Sequence, residues 1–200
     1  TGKTIWLKTG TPKEKFLTNI SWSPDEQHIY IAELNREQNE MNLVCYSAVT
    51  GQKEGVLFTE KDEHYVEPQH PLLFLPNQPD QFIWQSERDG YNHLYLYNTK
   101  GELLKQLTKG DWVVMDVLGF DEKGENLFIS STQPSPISSF GPDHGPLSVK
   151  TWSLNLKKGK STCLAKDAVL TGVHNTQLSG SSKYLLDNYS SWDIPRKIVL

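Results

Sequence analysis

Ser21-Trp22-Ser23-Pro24-Asp25-Glu26-Gln27-His28-Ile29-Tyr30-Ile31 is a strand, a Pro-Asp turn and a second strand. The pattern returns at Phe74-Leu75-Pro76-Asn77-Gln78-Pro79-Asp80-Gln81-Phe82-Ile83-Trp84, then over 119–129 and 178–186. Aligning Ile29, Phe82, Leu127 and Tyr184 gives steps of 53, 45 and 57 residues. Units of this length that contain only strands fit the blades of a β-propeller better than a helical solenoid.

Outward from these anchors, period-2 alternation and β-branched or aromatic enrichment predict strands at 4–8, 15–18, 20–23, 28–33, 42–48 and 55–59. A second set falls at 72–75, 81–86, 93–98, 103–108, 113–119 and 127–131, and a last set at 149–156, 161–165, 173–178, 184–188 and 197–200. Turn residues separate them, among them Thr50-Gly51, Arg88-Asp89-Gly90, Lys100-Gly101 and Lys123-Gly124. The one run of helix formers, 33–40, is polar all round and reads as a hairpin loop. The expected fold is all-β, a β-propeller segment of about four blades of four-stranded antiparallel sheets, incomplete at both ends. In this layout 1–18 ends one blade, full blades occupy about 20–60, 70–109 and 111–166, and 173–200 opens an incomplete one.

A net charge of −4 without a basic cluster argues against nucleic acid as a partner. No stretch approaches the roughly 20 apolar residues of a membrane span. Cys45 and Cys163 fall in strands of different repeats and read as buried free thiols. His28, His64, His70, His93, His144 and His174 show no metal-ligand spacing, and no calcium loop is present, so neither metal nor cofactor is expected.

The segment Phe82-Ile83-Trp84-Gln85-Ser86-Glu87-Arg88-Asp89-Gly90-Tyr91-Asn92-His93-Leu94-Tyr95 resembles the W-x-S-E-R-D-G-Y-x-H-L-Y signature of the dipeptidyl peptidase IV family, serine peptidases of the prolyl oligopeptidase superfamily. Leu107-Thr108-Lys109-Gly110-Asp111-Trp112-Val113-Val114 is similar to the family's step into the next blade. The resemblance implies the C-terminal half of the N-terminal β-propeller of a proline-specific dipeptidyl peptidase, with its own α/β-hydrolase domain as partner. Short turns and the lack of paired cysteines resemble Bacteroidetes-type members, and relatives of that kind imply a periplasmic or cell-envelope location.

The chain itself has no G-x-S-x-G nucleophile elbow, so no catalytic residue is assigned and the chain alone is not an enzyme. It also lacks the family's adjacent glutamates on a short helix. The acidic pairs Asp25-Glu26, Asp62-Glu63 and Asp121-Glu122 fall in turns or loops and read as solvated. The resemblance places 62–71 where the family lines the cleft facing the hydrolase domain. Tyr65, Glu67 and His70 are the substrate-cleft candidates there, set against a reading as plain exposed loop residues.

Trp84, Glu87, Arg88, Gly90 and Tyr91 are read as a structural signature, with Arg88 pairing a nearby carboxylate or capping its turn and Gly90 supplying a positive φ. The long Pro/Gly/Ser stretch 133–146, with Phe140 inside it, departs most from the family and is a candidate contact. The function expected is gating and orienting of peptides with proline near the N-terminus. The alternative is a stand-alone propeller that binds protein or glycan. Exposed blade faces make self-association of the isolated chain, and a homodimer, further expectations.

Overall fold

One device recurs at the hairpin tips: a short polar side chain accepts hydrogen bonds from the turn's own backbone. Asn35 Oδ1 accepts from the N–H groups of Asn39 and Glu40 at 3.0 Å each. Asn98 Oδ1 does the same for Lys100 and Glu102 (3.0 and 2.9 Å), and Asp121 Oδ1 for Glu125 and Asn126 (2.8 and 3.1 Å). Ser23 Oγ takes the N–H of His28 at 2.9 Å, and Ser179 Oγ that of Tyr184 at 3.1 Å. Asx and Ser/Thr turns of this kind satisfy donors that a tight turn would otherwise strand. Asp121 is therefore a turn cap, as is Asp25, whose Oδ1 takes the Gln27 N–H at 3.0 Å, rather than a freely solvated acid.

The computed structural model describes residues 2, 4–134, 147–164, 172–192 and 194–200. The chain divides into two units, residues 1–90 with 94–106, and residues 91–93 with 107–200. In the first unit, β1 (Phe16–Trp22), β2 (His28–Leu34), β3 (Glu40–Ser47) and β4 (Lys53–Lys61) form an antiparallel sheet in the order β1-β2-β3-β4. Next comes the sheet of β5 (Leu73–Leu75), β6 (Gln78–Ser86), β7 (His93–Asn98) and β8 (Leu103–Gln106), in order β5-β6-β7-β8.

The middle strands of the first sheet are buried on both faces. Alternate residues Tyr30, Ala32, Met41 and Leu43 pack with Phe82, Trp84 and Tyr97 of the second sheet. The intervening Ile31, Val44 and Tyr46 pack on the opposite face with Leu7 and Ile29. Phe82 stacks on Tyr97 with ring centres 5.7 Å apart, and Phe58 on Tyr97 at 4.4 Å. Each fully buried large side chain of this kind contributes about 1.5–3 kcal/mol of transfer free energy. The two sheets approach closely at Gly101, whose φ is +85° and where any Cβ would strike the Leu57 carbonyl. A glycine is required there on both counts.

On the face that carries Ile31 and Tyr46, away from the second sheet, the Glu33 carboxylate is buried and takes hydrogen bonds from Lys15 (2.8 Å), Lys53 (3.4 Å) and the Tyr46 hydroxyl. Burial alone would push its pKa up. The Lys15 and Tyr46 hydrogen bonds and the two lysine charges outweigh that and hold the carboxyl below its ordinary value.

In the second unit, β9 (Val114–Phe120), β10 (Asn126–Ser131), β11 (Lys150–Asn155) and β12 (Lys160–Cys163) pair in the order β12-β11-β10-β9. They are followed by the sheet β13 (Val173–Leu178), β14 (Leu185–Ser190) and β15 (Lys197–Val199), with three strands among the described residues. Buried His93 fixes the step into β9. Its Nδ1 lies 3.1 Å from Thr108 Oγ1, its Nε2 2.9 Å from the Gly110 carbonyl, and its ring sits edge-on to Trp112. The His of the signature and the Leu-Thr-x-Gly-x-Trp step are thus held to each other.

The antiparallel four-stranded meanders are propeller blades, and no helix interrupts them among the described residues. Two boundary expectations are corrected. Residues 4–8 form no strand, although the Lys8 N–H donates to the Gly51 carbonyl at 2.7 Å and Leu7 packs on the core. Residues 15–18 do not end an earlier blade. They run into 20–22 as the single strand β1, whose register on β2 shifts between Thr18 and Ser21. Asn19, at φ +53°, absorbs the shift, since asparagine tolerates the left-handed region. Cys163 is half-buried rather than buried, as expected of the short outer strand β12. Of the 133–146 stretch, residues 135–146, including Phe140, lie outside the described residues.

Candidate functional site

Within the first unit, the end of β4, the loop that follows it and the tip of the β6–β7 hairpin enclose a cleft of about 280 Å³. Its two walls are built differently. One is Arg88, whose side chain is 29 % exposed and lies over the Tyr95 ring, 4.4 Å from its centre. The guanidinium forms an ion pair with Glu60, hydrogen-bonds the Tyr97 hydroxyl, and donates from Nε to Ser86 Oγ at 3.1 Å. Glu60 Oε1 also accepts the Trp84 indole N–H at 2.9 Å. The signature thus ties its tryptophan, serine and arginine to one carboxylate from the neighbouring blade, and the fork of Arg88 uses the several donors that make arginine suited to such a knot. Gly90, at φ +93°, turns the tip.

The other wall is the loop that follows β4. It is anchored at two points on the β2–β3 hairpin: the Asp62 N–H donates to the Asn39 carbonyl (3.1 Å) and the Val66 N–H to the Gln38 carbonyl (2.7 Å). Asp62 Oδ1 accepts the His64 N–H at 2.8 Å, and this hydrogen bond, with the nearby imidazole, holds the Asp62 carboxyl below its ordinary pKa. Between the anchors, Tyr65 is 60 % exposed and lines the cleft, as do His64 and Glu67.

Of the three expected cleft residues, the fold brings Tyr65 and Glu67 together. His70 is not in the lining; its carbonyl instead accepts the Asn19 side-chain amide at 2.8 Å, which ties the loop's far end to β1. Glu60 and His64 were not singled out in the sequence. Glu60 is visible only through the ion pair that Arg88 was expected to make, and His64 only as a neighbour of Tyr65.

The lining carries Glu60, Asp62, Glu67 and Glu87 against Lys61 and Arg88, an excess of two acids with His64 neutral. Arg88 is matched by Glu60, and Lys61 is matched by Glu40 outside the lining at 2.9 Å. The surplus negative charge and the exposed phenol can receive hydrogen-bond donors or a cation. Nothing among the lining residues is arranged as a nucleophile with its base.

The chain matches, over residues 1–196, the family described as the dipeptidyl peptidase IV (DPP IV) N-terminal region. Among solved structures it is similar to a Bacteroides ovatus protein described as a dipeptidyl aminopeptidase IV, with a TM-score of 0.84 and 38 % identity, covering 98 % of this chain and 29 % of that one. Its fold is also similar to that of Porphyromonas gingivalis dipeptidyl peptidase 4, with a TM-score of 0.78 and 22 % identity, covering 96 % of this chain and 25 % of that one. An Arthroderma gypseum protein described as a probable dipeptidyl-aminopeptidase B is 29 % identical over 180 residues, 84 % of this chain and 18 % of its relative. The chain therefore spans less than a third of the length of these relatives. It belongs to the family of dipeptidyl peptidase IV N-terminal regions.

Proposed function

We propose that this chain is the non-catalytic propeller portion of a serine-type, proline-specific dipeptidyl peptidase that acts outside the cytoplasm, and that it gates and orients peptides for a hydrolase domain elsewhere in the polypeptide. The observation that carries the reading is the cleft with an aromatic and acidic loop wall, in a chain whose family match runs through residue 196. The sheets form consecutive blades of one propeller domain in this reading. Tyr65 offers a flat apolar face to the region around a substrate proline, and Glu67 accepts hydrogen bonds from the peptide backbone. Catalysis then belongs to the partner domain, and the contribution of this chain is to hold the peptide where it can react.

The stand-alone binding module is not favoured by the family match. The test is the coding sequence downstream of Leu200 together with an assay of the polypeptide it encodes. The reading expects a G-x-S-x-G elbow followed by Asp and His, and release of X-Pro dipeptides from a chromogenic substrate. A downstream sequence without that elbow, or a polypeptide with it that releases no X-Pro dipeptide, overturns it.

A further inference from the structure

A second cluster lies away from the cleft lining, on β2, β3 and β4 of the first sheet. His28 begins β2, Cys45 sits on β3 opposite Tyr30, and Glu54 is the extra residue where the β3–β4 register slips between Cys45 and Tyr46. His28 and Tyr30 are two apart on one strand and so share a face, and the register puts Cys45 on that face too. The slip at Glu54 re-aims its carboxylate toward them, as bulges do.

His28 Nε2 lies 3.2 Å from Glu54 Oε2, and Cys45 Sγ lies 3.6 Å from the same oxygen. The imidazole nitrogen, the sulfur and a carboxylate oxygen all fall within 4.8 Å of one another. Tetrahedral zinc, with bonds of about 2.0–2.3 Å to N, O and S, sets its ligand atoms roughly 3.3–3.6 Å apart. Two of the three edges already have about that length.

We propose that His28, Cys45 and Glu54 form a binding site for a zinc-class divalent cation, with a fourth position open to solvent. Thiolate and imidazole in one site select zinc or cobalt over magnesium and calcium. One thiolate and one carboxylate neutralise the double charge of the ion. Binding replaces the thiol proton with the metal and releases that proton to water, with no change of oxidation state.

The surroundings suit the exchange. The Tyr30 hydroxyl hydrogen-bonds the sulfur and favours its anion. His28 Nε2, the ring nitrogen facing Glu54, is the one offered to the metal. Cys45 itself is buried, whereas the His28 and Glu54 side chains are 37 % and 44 % exposed, which leaves a path from solvent. Because the metal displaces the thiol proton, affinity rises with pH. This inference is independent of the peptidase reading.

The probe is cobalt(II), added to the full chain after treatment with a chelator and read by absorption. The parent should develop a thiolate-to-cobalt charge-transfer band with tetrahedral visible bands at one equivalent, and zinc should bleach them. Cys45→Ser should lose the charge-transfer band, and Cys163→Ser should keep it. His28→Gln, at a half-buried position, and Glu54→Gln, at an exposed one, both checked for unchanged melting, should weaken binding tenfold or more. A parent that gives no band at saturating cobalt, a band that survives Cys45→Ser, or an unchanged affinity in His28→Gln or Glu54→Gln overturns the proposal.

Discussion

The two walls of the cleft face the same space and are held by opposite means. Arg88 is committed: its guanidinium donors go to Glu60, Ser86 and Tyr97, and its flat face is spent on Tyr95. The loop after β4 is held by its backbone on the β2–β3 hairpin, by Val66 against the core and by the Gln69 amide on Glu87 at 3.2 Å, and none of these uses Tyr65 or Glu67, whose side chains stay toward solvent. A residue that serves the fold consumes its own valences, and a residue available to a ligand keeps them. The conspicuous motif in the sequence is thus the structural wall, and the inconspicuous loop beside it is the one whose side chains stay uncommitted, as the proposed function requires.

The largest effect should come from Arg88→Ala. It strips Glu60, whose side chain is only 12 % exposed, of its counter-charge and removes the cation from the Tyr95 face. Breaking a fully buried pair costs about 3–5 kcal/mol; with part of this guanidinium in solvent, about 2 kcal/mol is expected from chemical denaturation. Arg88→Lys should recover little, because one ammonium cannot reach the Glu60, Ser86 and Tyr97 oxygens together. If Arg88→Ala unfolds at the parental midpoint while substrate affinity falls, the assignment of the walls is reversed.

Gly90→Val is a smaller lesion of the same wall. A Cβ there meets nothing within 4 Å, so the whole cost is the φ of +93° imposed on a β-branched residue, about 1–2 kcal/mol. A variant that melts with the parent would show that the hairpin tip can adopt another turn.

The repeat and its strands were legible because strand signals are local, and a middle strand buried on both faces reads as a short run rich in apolar and aromatic residues between turn residues, as over 28–34 and 41–46. What was not legible has physical causes. The left-handed Asn19 joins two apparent strands into β1, and nothing in the alternation of 15–23 marks a residue that changes the sign of φ without ending the strand. The partnership of Arg88 with a carboxylate followed from its type, yet the identity of Glu60, 28 residues earlier, depended on how neighbouring blades pack. Tyr65 and Glu67 came from the family resemblance, and His70 was grouped with them although its loop end is turned to β1. The His28, Cys45 and Glu54 cluster escaped because ligand-spacing rules describe loops and helices. Here three adjacent strands bring together residues 17 and 9 positions apart, and a register slip supplies the third.

The smallest effect on stability, and the most direct test of the proposed function, belongs to Tyr65→Ala in the full polypeptide, measured as the melting temperature together with KM and kcat on an X-Pro dipeptide substrate. An exposed ring with no part in the core should cost no more than about 0.5 kcal/mol on removal. The account predicts an unshifted melt and a raised KM with kcat little changed, the pattern of a contact that binds ground and transition states alike. An unchanged KM would remove Tyr65 from the substrate path, and a lowered melting temperature would make the loop wall structural like the one opposite.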